Sequence, residues 1–208
     1  MIAVDIRTQL THQIELKSFA KKQVVYRSGV TAKGFYYVDE GLVGLYQVSE
    51  TGKESLLRIY GPGSFFGYRS LFTNQHYPST ARAMLDSKIV HVDVNDFKSL
   101  DLAAPCLADF LMKEVCAELG EAEKRLMQFN AFSAKKRILD TIYYVFHTYP
   151  EYPWTYREIG EYSGTDTTTV IRYCKTLKES GILESNSRKP LPVSLHQLAD
   201  YRKSLLVN

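Results

Sequence analysis

Thr167, Thr168, Thr169, Arg172, Lys175 and Lys178 crowd into a short stretch near the C-terminus, all hydroxyls and cations. No partner carboxylate or histidine sits among them at a spacing that would suit proton transfer. What they offer is hydrogen bonding and fixed positive charge, the chemistry that reads base edges and neutralises phosphates. The stretch needs a helix to present it, and the flanking residues supply one. Thr155 with Glu158 three residues later forms a capping-box pattern for a first short helix, 155–162. Ser163-Gly164-Thr165 makes a tight connection, and Asp166 can cap a second helix whose apolar Val170, Cys174 and Leu177 recur at helical spacing. Gly181 stands where a terminating glycine is expected. Helix, glycine turn, helix is the helix-turn-helix arrangement, whose second helix enters the DNA major groove. Beyond Leu183, the basic turn 185–190 and the segment 191–195 read as strand, turn and strand, a wing beside the helices. An ordinary helical hairpin shares the spacing, but the basic face and basic turn favour double-stranded DNA as partner.

The chain has 208 residues and a formal charge of +3, and all of the excess lies in one part. Residues 131–208 hold 11 Lys and Arg against 8 Asp and Glu, whereas residues 1–130 hold 15 of each. No apolar run approaches the roughly 18 residues of a membrane span, and the N-terminus has no secretory signal pattern, so no membrane partner and a cytoplasmic location are expected. Cys106, Cys116 and Cys174 are too few and too scattered for a disulfide framework or zinc site, and Cys174 reads as a core residue. The scattered His12, His76, His91, His147 and His196 read as surface or packing residues rather than haem ligands. No metal-ligand spacing or nucleophile triad pattern stands out, and an enzyme is not expected.

The elements ahead of this pair fall into two kinds. Leu10, Ile14 and Leu16 among polar residues suggest a short helix or two up to about residue 19. Runs at 23–27, 34–38, 43–48, 55–60, 81–83 and 88–92 are β-branched and aromatic, and eight of the twelve glycines lie between Gly29 and Gly67. Short strands with glycine turns indicate a small barrel or sandwich. Asn95 or Asp96 would cap a following helix. From Pro105 to about Gln128 a long helix carries Ala108, Leu111, Val115, Leu119, Ala122 and Leu126 at intervals of three or four, a near-heptad stripe expected to form a two-fold dimer seam. Ser133 should cap the next helix, Lys135 to about Tyr149. The fold class expected is α+β: a β-roll at 1–104, a dimerisation helix at 105–130, and a winged helix-turn-helix at 131–208.

In that order, the chain resembles the cyclic-AMP-receptor/FNR family of bacterial transcription regulators over nearly its whole length. Gly61-Pro62-Gly63-Ser64-Phe65-Phe66-Gly67-Tyr68-Arg69-Ser70-Leu71-Phe72 resembles the family's effector loop, Ser133–Leu139 the start of its DNA-binding domain, and 155–177 its helix-turn-helix. The resemblance implies a jelly-roll domain like those that bind cyclic nucleotides, a homodimer on an inverted-repeat operator, and contact with RNA polymerase if the protein is an activator. It also places an effector site at Gly67, Tyr68, Arg69, Ser79, Thr80 and Arg82.

Two departures qualify what the resemblance implies. Cyclic-AMP-binding members carry Glu directly after the loop glycine and an Arg-Ser pair further on; here these positions hold Tyr68, Pro78 and Ser79. Cyclic AMP is therefore not expected as ligand, and with cysteines absent from the N-terminus neither is an iron–sulfur cluster. The reading helix has Thr167-Thr168 where members typically have Arg-Glu, leaving Arg172 as the most discriminating base contact. Thr155, Arg157, Lys175 and Arg188 would position phosphates, with Thr167, Thr168 and Thr169 reading more permissively. The expectation is a DNA-binding regulator whose roll either takes an effector other than cyclic AMP or is filled by its own Phe, Tyr and Leu side chains. The alternative is a sensory or scaffold module that has lost specific readout.

Overall fold

The computed structural model describes residues 14–73 and 76–204. These form two compact units, one of residues up to 49 together with 57–123, the other of 50–56 together with 124 onward. The expected boundaries at 104 and 130 are not where the packing divides. The division falls inside the long helix, whose first part belongs to one unit and last part to the other.

Eight strands, all of the first unit except for the start of β5, form two antiparallel four-stranded sheets: β1 (Ile14–Phe19), β2 (Val24–Tyr26), β3 (Phe35–Glu40), β4 (Val43–Val48), β5 (Glu54–Tyr60), β6 (Phe65–Phe66), β7 (Thr80–Ala83) and β8 (Ser87–Val92). One sheet runs β1-β8-β3-β6, the other β2-β7-β4-β5. Inward-facing Val38 and Ala81 alternate with more exposed neighbours, as a half-buried pleated sheet requires, whereas β4 is buried without a break from Val43 to Tyr46. The helix expected before residue 19 is instead strand β1, paired with β8 along its length from Ile14 opposite Val92 to Phe19 opposite Ser87. Ile14 and Leu16 fit both periods in so short a stretch, and pairing with an available sheet edge decides it; Leu10 and His12 lie outside the described residues.

Helix α1 (Phe97–Ala103) is capped by Asp96, whose carboxylate accepts from the Ser99 amide at 2.7 Å. Helix α2 (Pro105–Ala131) follows. Here the seam reading needs correction. Ala108 and Leu111 are fully buried in a cluster with Phe35, Tyr68, Val92 and Leu107, and Val115 packs against it. All three hold α2 to the roll of their own chain, and Ala108 and Leu111 have no surface left for a second subunit. Only further along does the stripe emerge, with Ala122 exposed and Leu119 and Leu126 60% and 62% exposed.

The second unit contains α3 (Ala134–Thr148), α4 (Tyr156–Ser163), α5 (Thr167–Glu179) and α6 (Leu195–Ser204). Ser133 caps α3 by accepting from the Lys136 amide. Ile138, Ile142, Val145, Trp154, Ile159, Val170, Cys174, Leu177 and Leu198 are all fully buried. The wing is shorter than its sequence suggested. Leu183 bridges Pro192, Glu184 N–H donates to Leu191 and Val193 N–H to Ile182, and there the ladder ends. Proline has no N–H to extend it, and Leu195, expected in a strand, begins α6.

Candidate nucleic-acid interface and the interior of the roll

The start of α5 is fixed from both sides. Asp166 accepts from the Thr169 amide and from the Thr169 hydroxyl, each at 2.7 Å. Those bonds hold the Asp166 carboxyl below its usual range. Ahead of it, α4 carries a full capping box: the Glu158 amide donates to the Thr155 hydroxyl at 3.2 Å and the Thr155 amide to the Glu158 carboxylate at 3.0 Å. Gly164 ends α4 in the left-handed region at φ +66°. Gly160 lets the turn approach α4, since a Cβ there would stand 3.1 Å from the Thr165 carbonyl oxygen.

Outward from this frame, Thr167, Thr168, Arg172 and Lys175 are exposed, as are Thr155, Arg157 and Arg188. Thr168, Arg172 and Lys175 share a face by helical spacing. Thr169 differs from its neighbours: its hydroxyl serves the Asp166 cap and it is half-buried, so of the three threonines it is the one engaged by its own chain. Arg157 pairs with Glu161 at 2.6 Å, and burial pushes the Glu161 carboxyl up despite that cation. Lys178, grouped with the exposed cations by sequence, donates instead to the Ser187 carbonyl and ties the reading helix to the wing. One residue escaped the sequence reading. Ile171, 49% exposed, sits between Thr168 and Lys175 on the outward face. Val170, Cys174 and Leu177 complete the buried stripe of α5, which leaves Ile171 outside it. An apolar group there suits a thymine methyl.

The expected effector residues do not converge. Gly67, at φ +79°, closes against Tyr36, Tyr26 and Tyr77, each within 3.4 Å of where a Cβ would lie. Tyr68 points inward and is buried, Ser79 is buried, and Arg69 is exposed. Thr80 and Arg82 lie on the face of β7 opposite the inward Ala81 and Ala83. The Arg82 guanidinium stands 3.9 Å from the centroid of the Tyr46 ring, and the Thr80 hydroxyl accepts from the Ser28 amide at 3.1 Å. The alternation of the strand that buries the alanines carries Arg82 away from Tyr68.

Inside the roll, aromatic rings take up the space. Tyr26 stacks on Tyr77 with centroids 3.8 Å apart, on Tyr36 at 5.4 Å and on Phe66 at 6.0 Å, and Tyr60 stacks on Phe66 at 5.6 Å. Burial raises the Tyr26, Tyr60, Tyr68 and Tyr77 phenols, keeping them neutral. The charge that does enter comes from α2. Glu118 accepts from the Tyr60 hydroxyl at 3.0 Å, and Arg58 Nε lies 3.6 Å from the same carboxylate while its Nη1 pairs with Glu121 at 3.2 Å. The buried Tyr68 hydroxyl and Glu118 Oε2 make no hydrogen bond. Among the described residues no three His, Cys, Asp or Glu gather as metal ligands, and no helix is long and apolar enough to cross a membrane.

Comparison with known proteins agrees with both units. The cyclic nucleotide-binding domain model matches residues 16–101. An uncharacterized protein of Haemophilus influenzae is 33% identical over 105 residues, 50% of this chain and 81% of its own. The anaerobic regulatory protein of Pasteurella multocida is 26% identical over 185 residues, 84% of this chain and 67% of its own. A solved transcriptional regulator of the CRP/FNR family from Thermus thermophilus superposes with a TM-score of 0.77 at 26% identity, covering 91% of this chain and 98% of that one. The chain belongs to the CRP/FNR family. Its relatives are transcription regulators, and the CRP/FNR architecture of roll, long helix and helix-turn-helix accounts for the described elements.

Proposed function

We propose that this CRP/FNR protein is a homodimeric, sequence-specific DNA-binding regulator that does not respond to cyclic AMP. The observation that carries the reading is the outward face of α5, Thr167, Thr168, Ile171, Arg172 and Lys175, presented by a helix capped at its start and tied to the wing at its end. Arg172 is the base-reading cation, and Thr155, Arg157, Lys175 and Arg188 contact phosphates. Leu119, Ala122 and Leu126, with Val115 at the edge, form the seam to a second copy. That pairing sets two reading helices about 34 Å apart on an inverted repeat. The chemistry of the roll speaks against cyclic AMP. A phosphate inside it would meet neutral phenols and the Glu118 carboxylate, with Arg58 already engaged by Glu118 and Glu121, and Arg82, the cation nearest in sequence to the family's phosphate position, faces the other way.

The test is selection of bound fragments from random duplex DNA, then binding of the best site at two salt concentrations with and without cyclic AMP. An enriched inverted repeat, bound equally in both, is the expected result. With Arg172→Ala, affinity for the selected site should fall by about 10- to 100-fold while random duplex is affected far less. No enrichment would favour a sensory module without specific readout, and tightening by cyclic AMP would overturn the ligand assignment.

A further inference from the structure

The helix-turn-helix connection is gripped by residues outside the motif. At the C-terminus of α4 the last carbonyls have no partner within the helix, and two arginines supply partners. Arg125, near the end of α2, donates from Nη2 to the Tyr162 carbonyl at 2.9 Å, its guanidinium 4.3 Å from the centroid of the Tyr162 ring. Arg137, in the first turn of α3, donates from Nε to the Ser163 carbonyl at 3.1 Å and from Nη1 to the Phe132 carbonyl at 2.8 Å. Between them lies Phe129, 5.8 Å from the Arg125 guanidinium and 5.5 Å from that of Arg137. The Phe129 ring abuts Gly164, so closely that a Cβ there would come within 2.6 Å of it.

Two cations on adjacent carbonyls complement the negative end of the α4 dipole, and Phe129 leaves no room for a side chain at Gly164. Asp166, which caps α5, follows Gly164 by two residues, so whatever fixes the turn fixes the aim of the reading helix. Arg137 and Phe132 brace the turn from the start of the DNA-binding segment. Arg125 and Phe129 reach it from α2, the helix that also carries Leu126 of the seam.

We propose that Arg125 is a positioning residue for DNA reading: it holds the α4–α5 turn from the end of the long helix, so that α5 is aimed only while the last turns of α2 are in place. This rests on the reading of α5 as the DNA-reading helix. It assigns specificity to a side chain that touches neither base nor phosphate.

The experiment compares wild type, Arg125→Ala and Arg125→Lys in three measurements: affinity for the selected operator and for random duplex, amide hydrogen exchange over 164–170, and unfolding followed by the fluorescence of Trp154. Arg125→Ala should lose about tenfold on the operator with random-duplex affinity and salt slope unchanged, because a hydrogen bond from a charged group is lost without a phosphate contact. Exchange at 164–170 should accelerate by about the same factor. Arg125→Lys keeps the charge but not the plane over Tyr162, and should recover part of both losses. Unchanged exchange in Arg125→Ala overturns the proposal, as does an equal loss on both DNAs with a shallower salt slope, which would make Arg125 a phosphate contact. If wild type selects no operator, the DNA reading fails instead, and exchange alone still decides whether Arg125 holds the turn. A collapse of the Trp154 transition would assign Arg125 to folding rather than to aim and would also overturn it.

Discussion

Both units hold polar groups in place, but they satisfy them differently. In the helical unit the helix starts close on themselves, Thr155 with Glu158 and Asp166 with Thr169. In the roll, a carboxylate from α2 enters an aromatic interior, where one oxygen accepts from the Tyr60 hydroxyl and the other faces Arg58 at 3.6 Å, while the Tyr68 hydroxyl makes no hydrogen bond. The first arrangement gives a rigid head built from local, sequence-adjacent bonds. The second is assembled from strands and a helix far apart in the chain, and depends on every partner being present. The helical unit carries the helix-turn-helix, whereas the roll's interior is lined by tyrosines around a single carboxylate paired with Arg58.

Several substitutions sharpen or break that contrast. The largest effect is expected from Ile159→Ala, which empties a fully buried position and should cost the helical unit about 3–4 kcal/mol. Trp154 is the only tryptophan in the sequence and lies in that unit, so urea unfolding followed by its emission measures this unit directly. Next, Arg58→Met strands Glu118 in the roll and should cost about 3 kcal/mol, read from the near-ultraviolet signal of the buried tyrosines. Arg58→Met with Glu118→Leu should recover most of that loss. A neutral single variant would mean that the network is as self-sufficient as the helix caps. Thr155→Ala should cost only about 1 kcal/mol, because a single cap is lost while the rest of the head holds.

The Asp166 cap gives a pH signature. Its folded carboxyl lies below the ordinary value of 3.8, so its stabilisation is complete above that value and is lost as pH falls through the folded one. On acidification the Trp154-monitored stability of wild type should therefore converge on that of Asp166→Asn, whose neutral side chain can still cap, and parallel curves would show that the charge of Asp166 adds nothing to the cap. The smallest effect is chemical. Burial pushes the Cys174 thiol up to about 12, so iodoacetamide at neutral pH should label the exposed Cys106 and Cys116 and spare Cys174 in the native protein.

What could be read from the chain alone follows from the same contrast. The caps at Thr155, Asp166 and Ser133, the glycine ends and the buried stripe of α5 were legible because each is decided within a few residues. Strand β1 was not, because Ile14 and Leu16 acquire their period only by pairing with β8. Nor could the stripe of α2 be divided into a half facing its own roll and a half facing outward, since the buried Leu111 and the exposed Leu126 are the same residue in the same stripe. The outward turn of Arg82, the entry of Glu118 and the grip of Arg125 on Tyr162 join residues tens of positions apart, and no local pattern announces them.

Ile171 gives the reading face a thermal character of its own. Cations that displace counterions make binding depend on salt, whereas covering an apolar side chain makes the heat capacity fall. With one isoleucine set among threonines, an arginine and a lysine, association should carry both marks separately, and Ile171→Thr should shrink the heat-capacity change while leaving the salt slope as it was. Discrimination that rests on Ile171 would then vary with temperature in a way that the contacts of Arg172 do not.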